Sequence, residues 1–244
     1  YAEYYSQFPS HNTVCVDGIS SYPVMKSNHS FDLLSCFPAS AEPGKGFTSV
    51  TYSQVAFREP ESRADQTRLM GIVTTGPETG YYVDVFRSRK EKGGDKMHDY
   101  FYHNLGQTLT LTAADGSDLN LQPTEELAFA GAHLYAYSYL YDKKVAATNK
   151  DVKATFTIDM KDKDGDDIYM NLWMKGELDR EVFTALAPMT EGLSRTPNMP
   201  YNIKEQPTLT FVARQHGEAW NRPFVSIYEP STKKEPSAIQ SVSY

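Results

Sequence analysis

The run Ser10-His11-Asn12-Thr13-Val14-Cys15-Val16-Asp17-Gly18 sets an imidazole and a carboxamide directly ahead of a short apolar stretch. An imidazole can take or give a proton near neutral pH or ligate a transition metal, and a neighbouring amide can hold it in orientation. Thr13, Val14 and Val16 favour a strand, and Asp17-Gly18 favours a turn that ends it. His11 and Asn12 are therefore expected at the lip of a strand, where side chains meet a ligand. A lone histidine is more often a satisfied structural residue, so this position needs support from elsewhere in the chain.

A second stretch, Met97-His98-Asp99-Tyr100-Phe101-Tyr102-His103-Asn104, also carries chemistry. On a regular strand His98 and His103 point to opposite faces and cannot chelate one ion. His98, Tyr100 and Tyr102 share a face with Asn104 and form a polar-aromatic stripe. Such a stripe can floor a sugar groove, which makes these three the candidate substrate-binding residues, or it can be an ordinary half-buried sheet face. Tyr135, Tyr137 and Tyr139 are further aromatics able to stack on sugar rings. Asp162-Lys163-Asp164-Gly165-Asp166-Asp167 has the alternate carboxylates of a calcium loop, but its glycine stands at the fourth place rather than the sixth and no glutamate closes it, so a turn is expected. His29 and His216 fall in loops with no metal-site spacing around them, and His133 is assigned no role. There is no G-x-S-x-G, and no glycosidase carboxylate pair can be singled out; the catalytic residues are not assigned.

The elements that must position these residues are strands. Short β-branched and aromatic runs recur, expected over 31–36, 47–57, 67–74, 81–86, 97–105, 108–112, 132–140, 154–160, 168–174, 181–187, 208–213 and 223–228. Polar or Gly/Pro-bearing turns separate them, and a short helical turn is expected near 123–129. The connections from 47 to 112 are short, which favours an antiparallel meander. A dozen strands exceed one twisted open sheet, so the fold class is all-β, a large two-layer antiparallel β-sandwich, with residues 1–244 as one domain. Cys15 and Cys36 are too few for a disulfide framework, and a bridge between them is left open.

Composition narrows the function classes. With 24 basic against 31 acidic residues the net charge is −7, and neither sign is concentrated, which argues against a nucleic-acid partner. An acidic polysaccharide needs only a local basic patch, for which Arg58, Arg63, Arg68, Arg87, Arg89, Lys90 and Lys92 are available, although most such charges solvate sheet faces. No apolar run is long enough for a membrane span. The chain opens without an initiator methionine and enters the His11 motif within ten residues, and it is expected to be a piece of a longer protein.

The His11 motif, then Arg68-Leu69-Met70-Gly71-Ile72, then Gly80 to Arg87, then His98 to Gly106 follow one another in an order and spacing that resemble the β-sandwich of heparinase II/III-like polysaccharide lyases. The resemblance covers about residues 8 to 112. It implies β-elimination on uronic-acid glycans such as heparan sulfate or alginate, in a periplasmic or secreted parent enzyme. It implies zinc, chiefly structural, with His11 as one ligand and the other His and the Asp upstream. Asn12 would orient the imidazole or its strand. The parent would contain an N-terminal α/α toroid domain supplying a Tyr acid/base, and the isolated sandwich would be inactive. A non-catalytic carbohydrate-binding sandwich is the alternative.

Overall fold

A computed structural model describes residues 2–19, 30–38, 49–92, 94–128, 135–160, 165–190, 203 and 206–244. His29, His133, Asp162 and Asp164 lie outside these residues. After a short helix α1 (Ala2–Tyr5) and a 3-10 turn (Phe8–Ser10), the described chain is built of strands: β1 (Val14–Val16), β2 (Asp32–Phe37), β3 (Val50–Arg58), β4 (Ala64–Thr74), β5 (Gly80–Lys90), β6 (Met97–Asn104), β7 (Thr108–Ala113), β8 (Gln122–Pro123), β9 (Tyr141–Ala147), β10 (Val152–Ile158), β11 (Ile168–Met174), β12 (Arg180–Ala187), β13 (Thr208–His216) and β14 (Ala219–Thr232). They form a six-stranded sheet ordered β1-β6-β13-β12-β9-β8 and an eight-stranded sheet ordered β2-β3-β4-β5-β14-β11-β10-β7. Every pairing is antiparallel. The fold is an all-β sandwich, and among the described residues no helix is long and apolar enough to cross a membrane.

Alternation along each strand explains the core. Val14, Val16, Tyr100, Tyr102, Phe211 and Ala213 from one sheet meet Phe86, Leu111, Phe156, Leu172, Phe224 and Tyr228 from the other. The six-stranded sheet is covered on its outer face as well, where Cys15, Phe101, Phe183 and Val212 pack with Tyr4, Leu127 and Tyr137. The eight-stranded sheet is wider than its partner. β1 lies above β4 and β5, where Gln66 donates to the Val14 carbonyl and Lys90 pairs with Asp17 at 2.7 Å. No residue of β2 or β3 belongs to the core between the sheets, so these strands project as a shelf on which Phe31 and Leu33 are 61% and 63% exposed.

Three expectations are corrected. The meander holds only from β2 to β5; β6 and β7 part into different sheets at Gly106, where a Cβ would lie 2.5 Å from the Thr157 carbonyl oxygen and φ is +149°. The expected strand 132–140 is, over its described part, a 3-10 turn at Tyr135–Tyr139, because Tyr137 is drawn inward to bond Asp99 at 2.8 Å. The expected helical turn near 123–129 is an extended bridge at Gln122–Pro123 followed by irregular chain. Cys15 is buried and Cys36 half-buried, both as free thiols.

Candidate functional site

The site forms where the six-stranded sheet stops short of the shelf. The turn at Phe8–Ser10 delivers His11 and Asn12 to this edge, both exposed, with the His11 backbone N–H closing the turn onto the Phe8 carbonyl at 2.9 Å. Thr13 then returns the chain to the sheet by accepting a hydrogen bond from the Phe101 N–H. The His11 ring is exposed and makes no hydrogen bond to a described residue.

Asn12 acts on a different histidine from the one the sequence suggested. Its Oδ1 accepts the His103 backbone N–H at 2.8 Å and stands 3.2 Å from His103 Nδ1. Since a backbone N–H can only donate, the contacting atom is the amide oxygen, and the Nδ1–H tautomer of His103 would bond it as well. His103 Nε2 lies 3.4 Å from the Tyr4 hydroxyl. Burial, with the neighbouring His11 as the next cause, pushes the His103 pKa down to about 3. At neutral pH this is a neutral imidazole beside a second, exposed imidazole, that of His11. Of the two, the exposed His11 ring is the one open to a proton or an ion.

Below the lip runs a groove of about 380 Å³ lined by Asn12, Arg68, Met70, Tyr82, Tyr102, Met170 and Tyr228. Across Asn12 and Arg68 it meets a more apolar recess of about 220 Å³ that includes Phe31, Val55 and Phe86. Arg68 stands between the two. Its Nε and one terminal nitrogen donate to the Asp84 carboxylate at 3.0 and 2.7 Å, and its other terminal nitrogen donates to the Asn12 carbonyl at 2.8 Å. Asp84, with no exposed surface, also accepts from Tyr100 at 2.7 Å and from Tyr228 at 3.1 Å. This saturated carboxylate locks the groove floor, because each buried acceptor has a donor.

The three candidate substrate-binding residues separate. Tyr102 reaches the groove: its ring stacks on Tyr228 at 4.7 Å, and its oxygen accepts from Asn104 at 3.2 Å. Burial raises its pKa to about 12 against the opposing Asn104 hydrogen bond, so the phenol stays protonated and can donate to a sugar oxygen. Tyr100 and His98 are fully buried and present no atom to solvent. Tyr100 supports the floor through Asp84, and burial first, then the Asp84 charge, raises its pKa. His98 sits between Ser88 Oγ at 2.9 Å and Asp95 Oδ1 at 3.0 Å. A serine, histidine and aspartate in series resemble a hydrolase nucleophile relay, but Ser88 is as deeply buried as His98 and also receives a bond from Gln66, so no substrate reaches it. The stripe is thus mainly core, with only its Tyr102 end open.

The other singled-out residues disperse. Tyr137 is buried, and Tyr135 and Tyr139 lie half-buried on the outer side of the six-stranded sheet, away from the groove. Asp166 and Asp167 pair with Lys234 and Lys233 at 3.3 and 3.1 Å. His216 pairs with Glu181. Of the basic set, Arg68 and Lys90 are bound to carboxylates on the inner side, while Arg58 pairs with Glu91 and Asp65 on the outer side. Among the described residues no three His, Cys, Asp or Glu side chains converge as a metal-binding group. Asp84, Tyr82, Tyr228 and His103 were not named as site residues from the sequence, whereas Arg68 was, as part of a basic patch; the Arg68–Ile72, Gly80–Arg87 and His98–Gly106 motifs pointed to their neighbourhood.

No family model matches the chain. Over 186 residues it is 34% identical to an endo-acting ulvan lyase of Formosa agariphila, an alignment covering 75% of this chain and 21% of the relative. The chain spans about a fifth of the length of the curated relative it matches. What it is similar to is therefore part of a polysaccharide lyase.

Proposed function

We propose that residues 1–244 form one sandwich domain, the C-terminal region of a secreted or periplasmic polysaccharide lyase of the heparinase II/III-like kind. The parent would cleave a uronate-bearing glycan of the ulvan type by β-elimination. The 34% identity to an endo-acting ulvan lyase carries this reading, and a groove with aromatic walls and a protonated phenol agrees with it. In such a reaction a base takes the C5 proton of the uronate, the C4–O bond breaks, a C4=C5 double bond forms, and the departing oxygen gains a proton. The acid/base groups are assigned to the parent's N-terminal α/α toroid. This chain's part is to bind: Tyr102 donates to a sugar oxygen, Tyr82 and Met70 give apolar contact, and Arg68 and Asn12 hold the rim.

The parent's zinc would be ligated by His11, whose exposed imidazole with no hydrogen-bond partner among the described residues suits a nitrogen ligand. Its other ligands are assigned to upstream sequence, and its contribution would be to fix this wall of the cleft.

The test is absorbance of the unsaturated uronate product, with ulvan, heparan sulfate and alginate as substrates, on the isolated chain and on the parent, alongside metal analysis. The parent is expected to cleave and to carry zinc. Its His11→Ala variant should lose zinc and most activity while keeping its β circular dichroism spectrum. The isolated chain should do neither, because one imidazole does not retain the ion and one wall does not position a base. A zinc-replete, fully active His11→Ala parent, or an active isolated chain, overturns the assignment.

A further inference from the structure

The outer face of the eight-stranded sheet, opposite the groove, carries a second feature that the reading above does not use. Ala219 pairs with Ser88 and the next register partner is Phe224 with Phe86, so Trp220, Asn221, Arg222 and Pro223 on β14 stand against Arg87 alone on β5. Bulges of this kind bend a strand and re-aim its side chains. Glu218 fixes this one by accepting the N–H groups of Trp220 at 2.5 Å and Asn221 at 3.0 Å.

The result is a built arrangement of two arginines and two aromatic rings. The Arg89 guanidinium lies 4.2 Å from the centre of the Trp220 ring. Two residues earlier on the same face of β5, Arg87 lies 5.7 Å from the Tyr244 ring and donates to the Trp220 carbonyl and the Tyr244 hydroxyl. Arg87 is consumed in holding the bulge and Tyr244. Arg89 is exposed, and among the described residues no carboxylate pairs with it. The acid beside it in register, Asp65, faces Arg58 on the other side at 4.0 Å. Glu218 spends its oxygens on the bulge.

A guanidinium stacked on an indole is held flat, and its N–H edge stays open to a planar or tetrahedral anion without further ordering of the side chain. In a chain of net charge −7 most of the surface repels polyanions, so attraction is confined to places where cations stand uncompensated. We propose that the Arg89–Trp220 stack is the anchor of a second glycan-binding surface, separate from the groove, that holds the sulfate or carboxylate groups of an acidic polysaccharide. A remote hold of this kind would raise the local concentration of polymer at the groove. The choice of a polysaccharide as occupant rests on the function proposed above; the location and the anion-binding chemistry rest on the stack itself.

The experiment is affinity electrophoresis and calorimetric titration with ulvan, with desulfated ulvan and with carboxyl-reduced ulvan. The proteins are the 244-residue chain, its Arg89→Glu, Arg89→Lys and Trp220→Phe variants, and Tyr102→Phe in the groove. Arg89→Glu is expected to weaken polymer binding by about tenfold or more, as loss of a charge-assisted contact does, while Arg89→Lys falls between it and wild type. Arg89 is exposed, so these variants keep their fold, which thermal melts verify. Whichever chemically stripped ulvan binds as weakly to wild type as intact ulvan binds to Arg89→Glu identifies the anion recognised. Wild-type affinity in Arg89→Glu, with binding lost in Tyr102→Phe, overturns this inference and leaves the groove reading intact. No measurable binding of any acidic glycan by the wild-type chain overturns both.

Discussion

The two sheets of this sandwich share a core and differ in almost everything else. The central strands of the six-stranded sheet are buried on both faces, while β9 and β8 at its far edge are largely exposed: β13 shows no exposed residue from Thr208 to Gln215, and its outer side carries the buried pair of Arg214 with Asp99 at 2.7 Å. The eight-stranded sheet has one face on the core, one face largely outward, and a shelf at its β2–β3 edge that contributes nothing to the core. Stability is therefore concentrated in one sheet and surface in the other. The candidate site lies at the seam, where a rigid wall bearing His11, Asn12 and Tyr102 faces a sheet free to vary.

The contrast can be broken most sharply at Arg214. Arg214→Met leaves the Asp99 carboxylate buried with only the Tyr137 hydroxyl as a described side-chain donor, and removing one partner of such a pair is expected to cost about 3–5 kcal/mol. Urea unfolding measures it; a loss below about 1 kcal/mol would show that the outer face of the six-stranded sheet is not the rigid one.

Acid should act on the same sheet. Burial lowers the His98 pKa although Asp95 opposes the shift, so folding favours the neutral ring and the unfolded chain binds more protons. This contribution is fully present above the unfolded pKa of about 6.5 and is lost as pH falls below it toward the lowered folded value. Thermal melts from pH 7 to pH 5 are expected to show this decline. His103, whose pKa is pushed down to about 3, loses stability over the same window, so His98→Gln should lessen the decline and adding His103→Gln should flatten it; an unchanged slope in the double variant would assign the acid sensitivity to other groups.

The smallest effect is expected on the shelf. Leu33→Ser, at a position 63% exposed, should change unfolding free energy by no more than about 0.5 kcal/mol. A loss comparable to that of a core residue would mean that the shelf is packed and that the two sheets are more alike than their burial patterns say.

The strand rhythm was legible because alternation of apolar and polar residues survives in most strands, and Val50 to Phe57 and Met97 to Asn104 read directly. Tyr135-Ala136-Tyr137-Ser138-Tyr139 alternates just as well and yet turns, since the bond from Tyr137 to Asp99 is tertiary and leaves no local trace. β9 was missed for the opposite reason: Asp142, Lys143 and Lys144 give it the composition of a turn, and it is a strand because β12 pairs with it. At the site, His11 and Asn12 could be found from their place before a β-branched run. The Arg68–Asp84 lock and the Asn12–His103 contact could not, because they join β1, β4, β5 and β6 across separations that only the sheet order sets.

The shelf also bears on how such a protein can diversify. β2 and β3 form an outermost hairpin, and the recess beside Arg68 is walled in part by Phe31 and Val55 from it. Substitutions there alter what the recess admits without touching a residue of the core between the sheets. Selection can therefore retune what this edge admits while the folding problem stays solved, and relatives that differ in what they bind are expected to differ first in this hairpin.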